Sequence, residues 1–469
     1  MIATPPDSPS RGSGARALPQ RIHCVGVGGG GLSALARLLA ARGHSVSGSD
    51  SAADFHVTEL SAAGVSVRAG HDARHLGDAQ LLVRSAAVPD SNPEVAAALA
   101  AGVPVLKYSE ALGRLMTGRR GIAVAGTHGK STTTALVAHL LRAGGLDPAW
   151  VVGARPLSLP DACGWGQGDA MVVEACEYDH SFLNLDYEIA VVNSIAPDHL
   201  DCFGDEQGVR EAYRRFASRL PPGGTLVLGA DVGADCELRC PPGARRWHVE
   251  DHLHLDRVTE DERGFHGVVE GGAWGRGSFE LPLLGRHNLE NLRAGLLAVV
   301  ALGVPLWFAL PHVAGFHGVA RRLQDLGERD GVRWIDDFAH HPDALAAASG
   351  AVRARFPGRR LVGIFQPHQV SRTADFLDGF ASALQGFDAV GLCDIFVSRD
   401  RHPERAEGLS AALAQRTGER LVRLGPATAA QAAVAAMVRP GDVCVLMGAG
   451  DIDGLAGRLA GTAARPRAG

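Results

Sequence analysis

At 469 residues the chain is long enough for about two to four domains with buried cores. A net charge of −5 and an aromatic content of 5% exclude the basic face and stacking surface of a general nucleic-acid binder. No apolar run is long and charge-free enough to span a membrane.

Residues 1–20 are rich in Pro, Ser, Gly, Ala and Arg and lack an apolar run, so they read as a disordered tail rather than a signal peptide. Residues 461–469 read the same way. Residues 21–118 alternate strands, over 21–27, 45–50, 81–83 and 103–106, with helices such as 32–42. That pattern calls for a parallel sheet covered on both faces, a Rossmann-like unit. The loop after its first strand carries Gly26-x-Gly28-x-x-Gly31, and Asp50 follows at about the distance of the acid in dinucleotide-binding folds. Alone, this loop indicates a phosphate at a helix N-terminus and leaves NAD, FAD and other nucleotides open.

Residues 119–318 form a second unit around the most informative stretch of the chain. A strand over 121–124 runs into Gly126-Thr127-His128-Gly129-Lys130-Ser131-Thr132, and an amphipathic helix is expected over 135–142. Glycines let backbone amides approach phosphate oxygens, lysine supplies a point charge, and the Ser131 hydroxyl suits Mg²⁺. Of the 46 basic residues only Lys107 and Lys130 are lysines. A lysine kept in this loop against so strong an arginine bias points to a site needing a compact ammonium. Further strands are expected over 170–174, 189–193 and 223–228. The first of these delivers Glu174, Glu177 and Asp179, and the second leads to Asp198-His199. A helix opening at 285–292 carries His287, Asn288 and Asn291. Asn288 reads either as its N-cap or, with Asn291, as part of a face that reads a purine edge.

Residues 319–460 form a third α/β unit with strands over 333–335, 361–365, 389–392, 421–424 and 443–447. Arg321-Arg322 opens it, placed to reach phosphates across a domain gap. Asp336 to Pro342 and Gln366 to Arg372 each follow a strand, and Arg372 suits a carboxylate. The eight cysteines are scattered and read as free cytosolic thiols.

Together these motifs, in this order over about residues 21–455, resemble the Mur ligase family. The resemblance implies three domains: a Rossmann-like N-terminal domain, a central P-loop ATPase-like domain and a Rossmann-like C-terminal domain. It implies a cytoplasmic ATP- and Mg²⁺-dependent ligase of peptidoglycan precursor synthesis, working through an acyl phosphate. Within the family the pattern is closest to the member joining L-alanine to UDP-N-acetylmuramate; the murein tripeptide recycling ligase is the near competitor. Different classes left open are an NAD-binding oxidoreductase and an inactive nucleotide-binding protein. By resemblance, Ser131, Glu174 and His199 hold Mg²⁺. Residues Gly126 to Thr132, His287, Asn291, Arg322 and Asp337 contact ATP. Lys130, His199, His340 and Arg372 are the catalytic set, and His340, His368 and Arg372 lie near the amino acid and acyl group. Gly28, Gly29, Gly30 and Gly31 bind the UDP end, with Asp50, Ser85 and Asn92 beside them. A monomer or weak homodimer is expected, closing around its ligands. No lysine follows Lys130, so the carbamoylated lysine of several family members has no counterpart. Cys176, Phe338, Ala339 and Gln369 depart from the family pattern, the second by losing a tyrosine hydroxyl.

Overall fold

The computed structural model describes residues 17–51, 57–197, 200–233, 236–397, 400 and 402–461. His199 and Asp198 lie outside the described residues. The described residues fold around four sheets.

The first is a five-stranded parallel sheet in the order Ser66–Ala69, Ser45–Asp50, Arg21–Val25, Leu81–Arg84, Val105–Lys107. The strand Ser66–Ala69 escapes the sequence pattern because it is an edge strand, mostly exposed, with Val67 its only large apolar residue. Helix Gly30–Ala41 starts at the glycine loop, and no side chain caps it.

The second sheet has seven strands in the order Arg245–His248, Thr225–Asp231, Ile189–Ser194, Arg120–Ala125, Ala170–Glu174, Ala149–Val151, Cys163–Gly164, with only the last pairing antiparallel. The helix after its glycine loop spans Lys130–Ala143, so it begins at the lysine itself, five residues before the sequence expectation. It is also not amphipathic. Nearly every residue from Ser131 to Leu141 is buried, because the sheet lies on one side and helix His287–Ala301 on the other.

A three-stranded antiparallel sheet, His254–Asp261, Gly264–Glu270 and Arg276–Leu281, is a second departure from expectation. Its charged, glycine-interrupted strands hide the alternation, yet one face buries Phe265, Val269, Phe279 and Leu281.

The fourth sheet is ordered Gln324–Arg329, Val332–Asp337, Val443–Met447, Leu361–Phe365, Ala389–Cys393, Leu421–Gly425, parallel apart from its first strand.

Several contacts pin the first sheet's domain to the second. Arg37 pairs with Asp161, and the Trp165 ring lies under Arg42 at 4.4 Å and Arg119 at 3.9 Å. Lys107 Nζ meets Asp179 Oδ2 at 2.6 Å, and Asn184 Nδ2 donates to Ser109 Oγ at 2.9 Å. The C-terminal unit rests on the antiparallel sheet through the buried Arg355, which donates to Glu260 Oε1 at 2.8 Å and Leu283 O at 2.6 Å. Among the described residues no helix is long and apolar enough to cross a membrane.

Candidate active site

The phosphate loop is shaped by its neighbours. Thr127 is turned inward: its amide donates to Ser194 O at 3.0 Å, and its hydroxyl accepts from Ala196 N at 2.9 Å. The His128 amide donates to Ser194 Oγ at 3.0 Å, while its side chain is exposed. Gly129 is the N-cap, left-handed at φ 78°, and no side chain caps the helix behind it. The first amides of Lys130, Ser131 and Thr132 are thus offered at the positive end of a 14-residue helix. A Cβ on Gly129 would lie 2.2 Å from Asn291 Oδ1. Gly129→Ala therefore meets both a clash and the ~1–2 kcal/mol cost of a left-handed alanine. A loop that escapes this cost by leaving its phosphate-binding shape must regain that shape to bind, so about tenfold weaker ADP binding is expected by calorimetry; unchanged affinity would contradict this reading of the loop.

Asn291 is buried behind the loop rather than facing a base. Its Nδ2 donates to Asn288 Oδ1 at 2.8 Å, and its Oδ1 accepts from Thr133 Oγ1 at 3.3 Å. Asn193 Nδ2 completes the network on Thr133 Oγ1 at 3.0 Å. Asn288 is not the N-cap: Arg286 holds that position, and Asn288 Nδ2 donates to Leu284 O at 2.7 Å. The paired amides brace the phosphate loop, and both side chains are buried.

Ser131 is nearly buried at the helix start. Glu174 ends its strand in register with Val124, next to the loop. Its Oε2 accepts from Gly153 N at 2.6 Å, and a Cβ on Gly153 would stand 2.6 Å from Oε1, so only glycine leaves room for this carboxylate. Hydroxyl and carboxylate oxygens are the donors a hard cation takes, and Mg²⁺ bound to phosphates needs few protein ligands. Among the described residues no three His, Cys, Asp or Glu side chains form a closed metal cage.

Lys130 Nζ donates to Gly126 O at 2.6 Å, Thr127 O at 3.3 Å and Glu177 Oε1 at 3.0 Å. Glu177 is 2% exposed. In the sequence Glu177 is only one acid of a run; its contact with Lys130 comes from the fold.

At the junction to the C-terminal unit, Arg321 and Leu323 are both left-handed, at φ 61° and 46°. Such non-glycine conformations are costly and persist where the surroundings impose them. Here the contortion sends adjacent arginines in opposite directions. Arg321 is buried, donates to Gly448 O, and faces Asp336 at 3.7 Å and Asp453 at 3.9 Å. Arg322 is exposed. Both guanidinium groups lie over the Phe338 ring, at 5.0 and 5.4 Å. The phenylalanine that departs from the family pattern thus supplies a π face, which needs no hydroxyl. Desolvation, with His128 and Arg322 adding positive charge, holds the His287 imidazole below the ordinary histidine range. The exposed arginine of the third unit and His128 of the loop thus both act on the same imidazole at the start of helix His287–Ala301.

Asp337 spends both oxygens on backbone amides, Leu323 N at 2.6 Å and Ala339 N at 2.8 Å, so it shapes the arginine turn rather than presenting a free carboxylate. Burial pushes its neighbour Asp336 up to about 7, against the pull of Arg321.

His340, His368 and Arg372 are brought together. The two imidazoles are 6.4 Å apart, and His340 Nδ1 is bonded to Phe338 O at 2.8 Å. His368 stacks on Phe396 at 5.5 Å. Burial, then the backbone bond opposing it, then Arg372, His368 and Arg322 leave the His340 imidazole at about 4. A depressed histidine contributes stability that is full above its unfolded value near 6.5 and is lost as pH falls through about 4. Replacing His340 with Asn is expected to flatten the fall in melting temperature between those pH values. An identical acid-side slope in both proteins would count against the buried neutral imidazole.

In the first domain, Gly28 to Gly31, Asp50 and Ser85 gather at the carboxyl ends of three adjacent strands. Asp50 Oδ2 accepts from Gly28 N at 2.9 Å, so it shapes the loop and occupies the Gly28 amide. Gly29 is the uncapped start of helix Gly30–Ala41. Ser85 borders the loop, its Cβ 3.1 Å from where a Gly26 side chain would begin. Asn92 has a structural duty instead: its Oδ1 caps helix Pro93–Ala100 by accepting from Glu94 N at 2.9 Å and Val95 N at 3.4 Å.

Three domain descriptions of one family match in order: Mur ligase family, catalytic domain, over residues 21–120; Mur ligase middle domain, over 124–299; and Mur ligase, glutamate ligase domain, over 321–450. The chain belongs to the Mur ligase family. It is 40% identical over 431 residues to UDP-N-acetylmuramate–L-alanine ligase of Arthrobacter sp. (strain FB24), covering 89% of each chain. Against the enzyme of the same name from Burkholderia mallei (strain SAVP1) the figure is 38% over 457 residues, covering 94% of this chain and 97% of the other. The solved UDP-N-acetylmuramate-alanine ligase of Thermotoga maritima superposes with a TM-score of 0.79 at 25% identity, covering 94% of this chain and 98% of that one. A murein peptide ligase from Psychrobacter arcticus 273-4 shares the fold, with a TM-score of 0.71 at 22% identity over 95% and 98% of the two chains. Membership in this family of ATP-using ligases sets aside the oxidoreductase that the first glycine loop left open.

Proposed function

We propose that the chain is an ATP-dependent ligase that joins L-alanine to the lactyl carboxylate of UDP-N-acetylmuramate in peptidoglycan precursor synthesis, in the cytoplasm. The observation that carries this reading is the agreement between two facts. Relatives of that name match at 38–40% identity over nearly the whole chain, and Glu174 ends its strand in register with Val124, just before the loop that carries Lys130.

The chemistry requires bringing two anions together, since a carboxylate must attack the γ-phosphate. Lys130, the amides of helix Lys130–Ala143 and Arg322 lower that repulsion. Mg²⁺ held by Ser131, Glu174 and His199 would neutralise further phosphate charge. Attack by the carboxylate oxygen on the γ-phosphorus releases ADP and gives an acyl phosphate; the alanine amine then attacks the acyl carbon, gives up a proton and displaces phosphate, which carries that oxygen away. His340, kept neutral by burial, is the proton acceptor we assign to the amine, and the Arg372 guanidinium suits the alanine carboxylate. Gly29 to Gly31 offer a helix N-terminus to the diphosphate of the UDP end. Closure of the C-terminal unit would exclude water from the acyl phosphate.

A test follows from the oxygen's path. With heavy oxygen in the lactyl carboxylate, one labelled atom is expected in the released phosphate. Label kept wholly in the amide product would exclude the acyl phosphate.

The second reading is the tripeptide recycling ligase. Tyr178 is the residue that leans toward it, and it is exposed beside the acid run. The full-length relatives above favour alanine.

A further inference from the structure

Lys130 and Lys107, the chain's two lysines, both end on one short segment. Lys130 meets Glu177, and Lys107, from the first domain, meets Asp179 two residues on. An ammonium has three N–H donors. Here the three partners of Lys130 are Gly126 O, Thr127 O and Glu177 Oε1, so no donor is left for a phosphate. Glu177 is buried, and its Oε2 has no hydrogen-bond partner among the described residues. Immediately after it, Asp179 and His180 are both left-handed, at φ 56° and 53°. Two consecutive non-glycine residues in that region are strained and need external restraint. The Lys107 ion pair at 2.6 Å and the Asn184–Ser109 hydrogen bond at 2.9 Å supply it from the substrate domain.

We propose that Glu177 is a positioning residue that holds Lys130 retracted until a nucleotide phosphate replaces it, and that Lys107 braces this latch through Asp179. The consequence is a physical link from the UDP-substrate domain to the ATP lysine. When phosphate enters, Lys130 exchanges a carboxylate for a phosphate oxygen, while Glu177 stays close enough to limit how tightly the nucleotide is held. The proposal rests on the nucleotide-binding reading of the loop, not on which amino acid is joined.

The test is ADP binding in the presence of Mg²⁺, by calorimetry, to the full chain and its variants, with melting temperature as the control for folding. Glu177→Gln keeps the shape and removes the competing charge. It is expected to tighten ADP binding by about tenfold. In turnover it should lower KM for ATP without raising kcat, because Lys130 loses its mooring. Glu177→Asp, which keeps the charge, should restore affinity toward the natural value. Asp179→Asn should tighten binding in the same direction but less. A merely structural role would weaken binding or leave it unchanged. Unchanged or weaker ADP binding in a stably folded Glu177→Gln protein overturns the latch. Asp179→Asn without effect overturns the brace. Failure of the natural protein to bind ADP would instead refute the reading of the loop itself.

Discussion

Lys130→Ala is expected to lose at least ~10³-fold in ligase turnover, and to melt at a lower temperature as well. The rate falls because the loop then presents only backbone dipoles to the transferring phosphoryl group. The stability falls for a separate reason. Glu177 is 2% exposed, and Lys130 is the cation beside it, 3.0 Å away. Stripping one partner from a buried pair costs on the order of 3–5 kcal/mol. The two effects are separable in the double variant Lys130→Ala with Glu177→Ala. That protein should recover most of the lost melting temperature and none of the lost activity. If it stayed as unstable as the single variant, the ion pair would not be the source of the instability.

The adjacent arginines should divide along the same lines. Arg322→Ala is expected to slow turnover by about 10³-fold, the scale of an arginine delivered to a phosphoryl-transfer site from another element. Its melting temperature should hardly change, since Arg322 is exposed and lies over the face of Phe338. Arg321→Ala should do the opposite first. It leaves Asp336 and Asp453 facing each other in a buried site without their cation, with destabilisation of roughly 3–5 kcal/mol. Equal loss of stability in both variants would contradict the inward and outward orientations.

Much of this site was legible in the sequence because its chemistry leaves few residue choices. Lys130 stands out against an arginine-rich background, and so does Lys107, which bridges two domains. The glycine loops announced helix N-termini, and both helices are uncapped by side chains. Side chains that serve the backbone were harder to read. Asn92, Asn291 and Asp337 resemble ligand groups in sequence, yet each turns toward the protein to cap, brace or shape a loop. Short polar side chains suit both tasks, and only the fold shows which one they perform. The antiparallel sheet was invisible for a related reason: its edge-rich, charged strands bury only one face, so no continuous apolar run marks them.

The alanine-adding reaction itself is tested most directly by following ADP and phosphate released from ATP and Mg²⁺ with UDP-N-acetylmuramate, offering L-alanine, glycine, L-serine and murein tripeptide separately. Release that depends on L-alanine and disappears in Lys130→Ala is the predicted result. Release with tripeptide alone would make the protein the recycling ligase, and no release with any pair, despite ATP binding, would contradict ligase activity altogether.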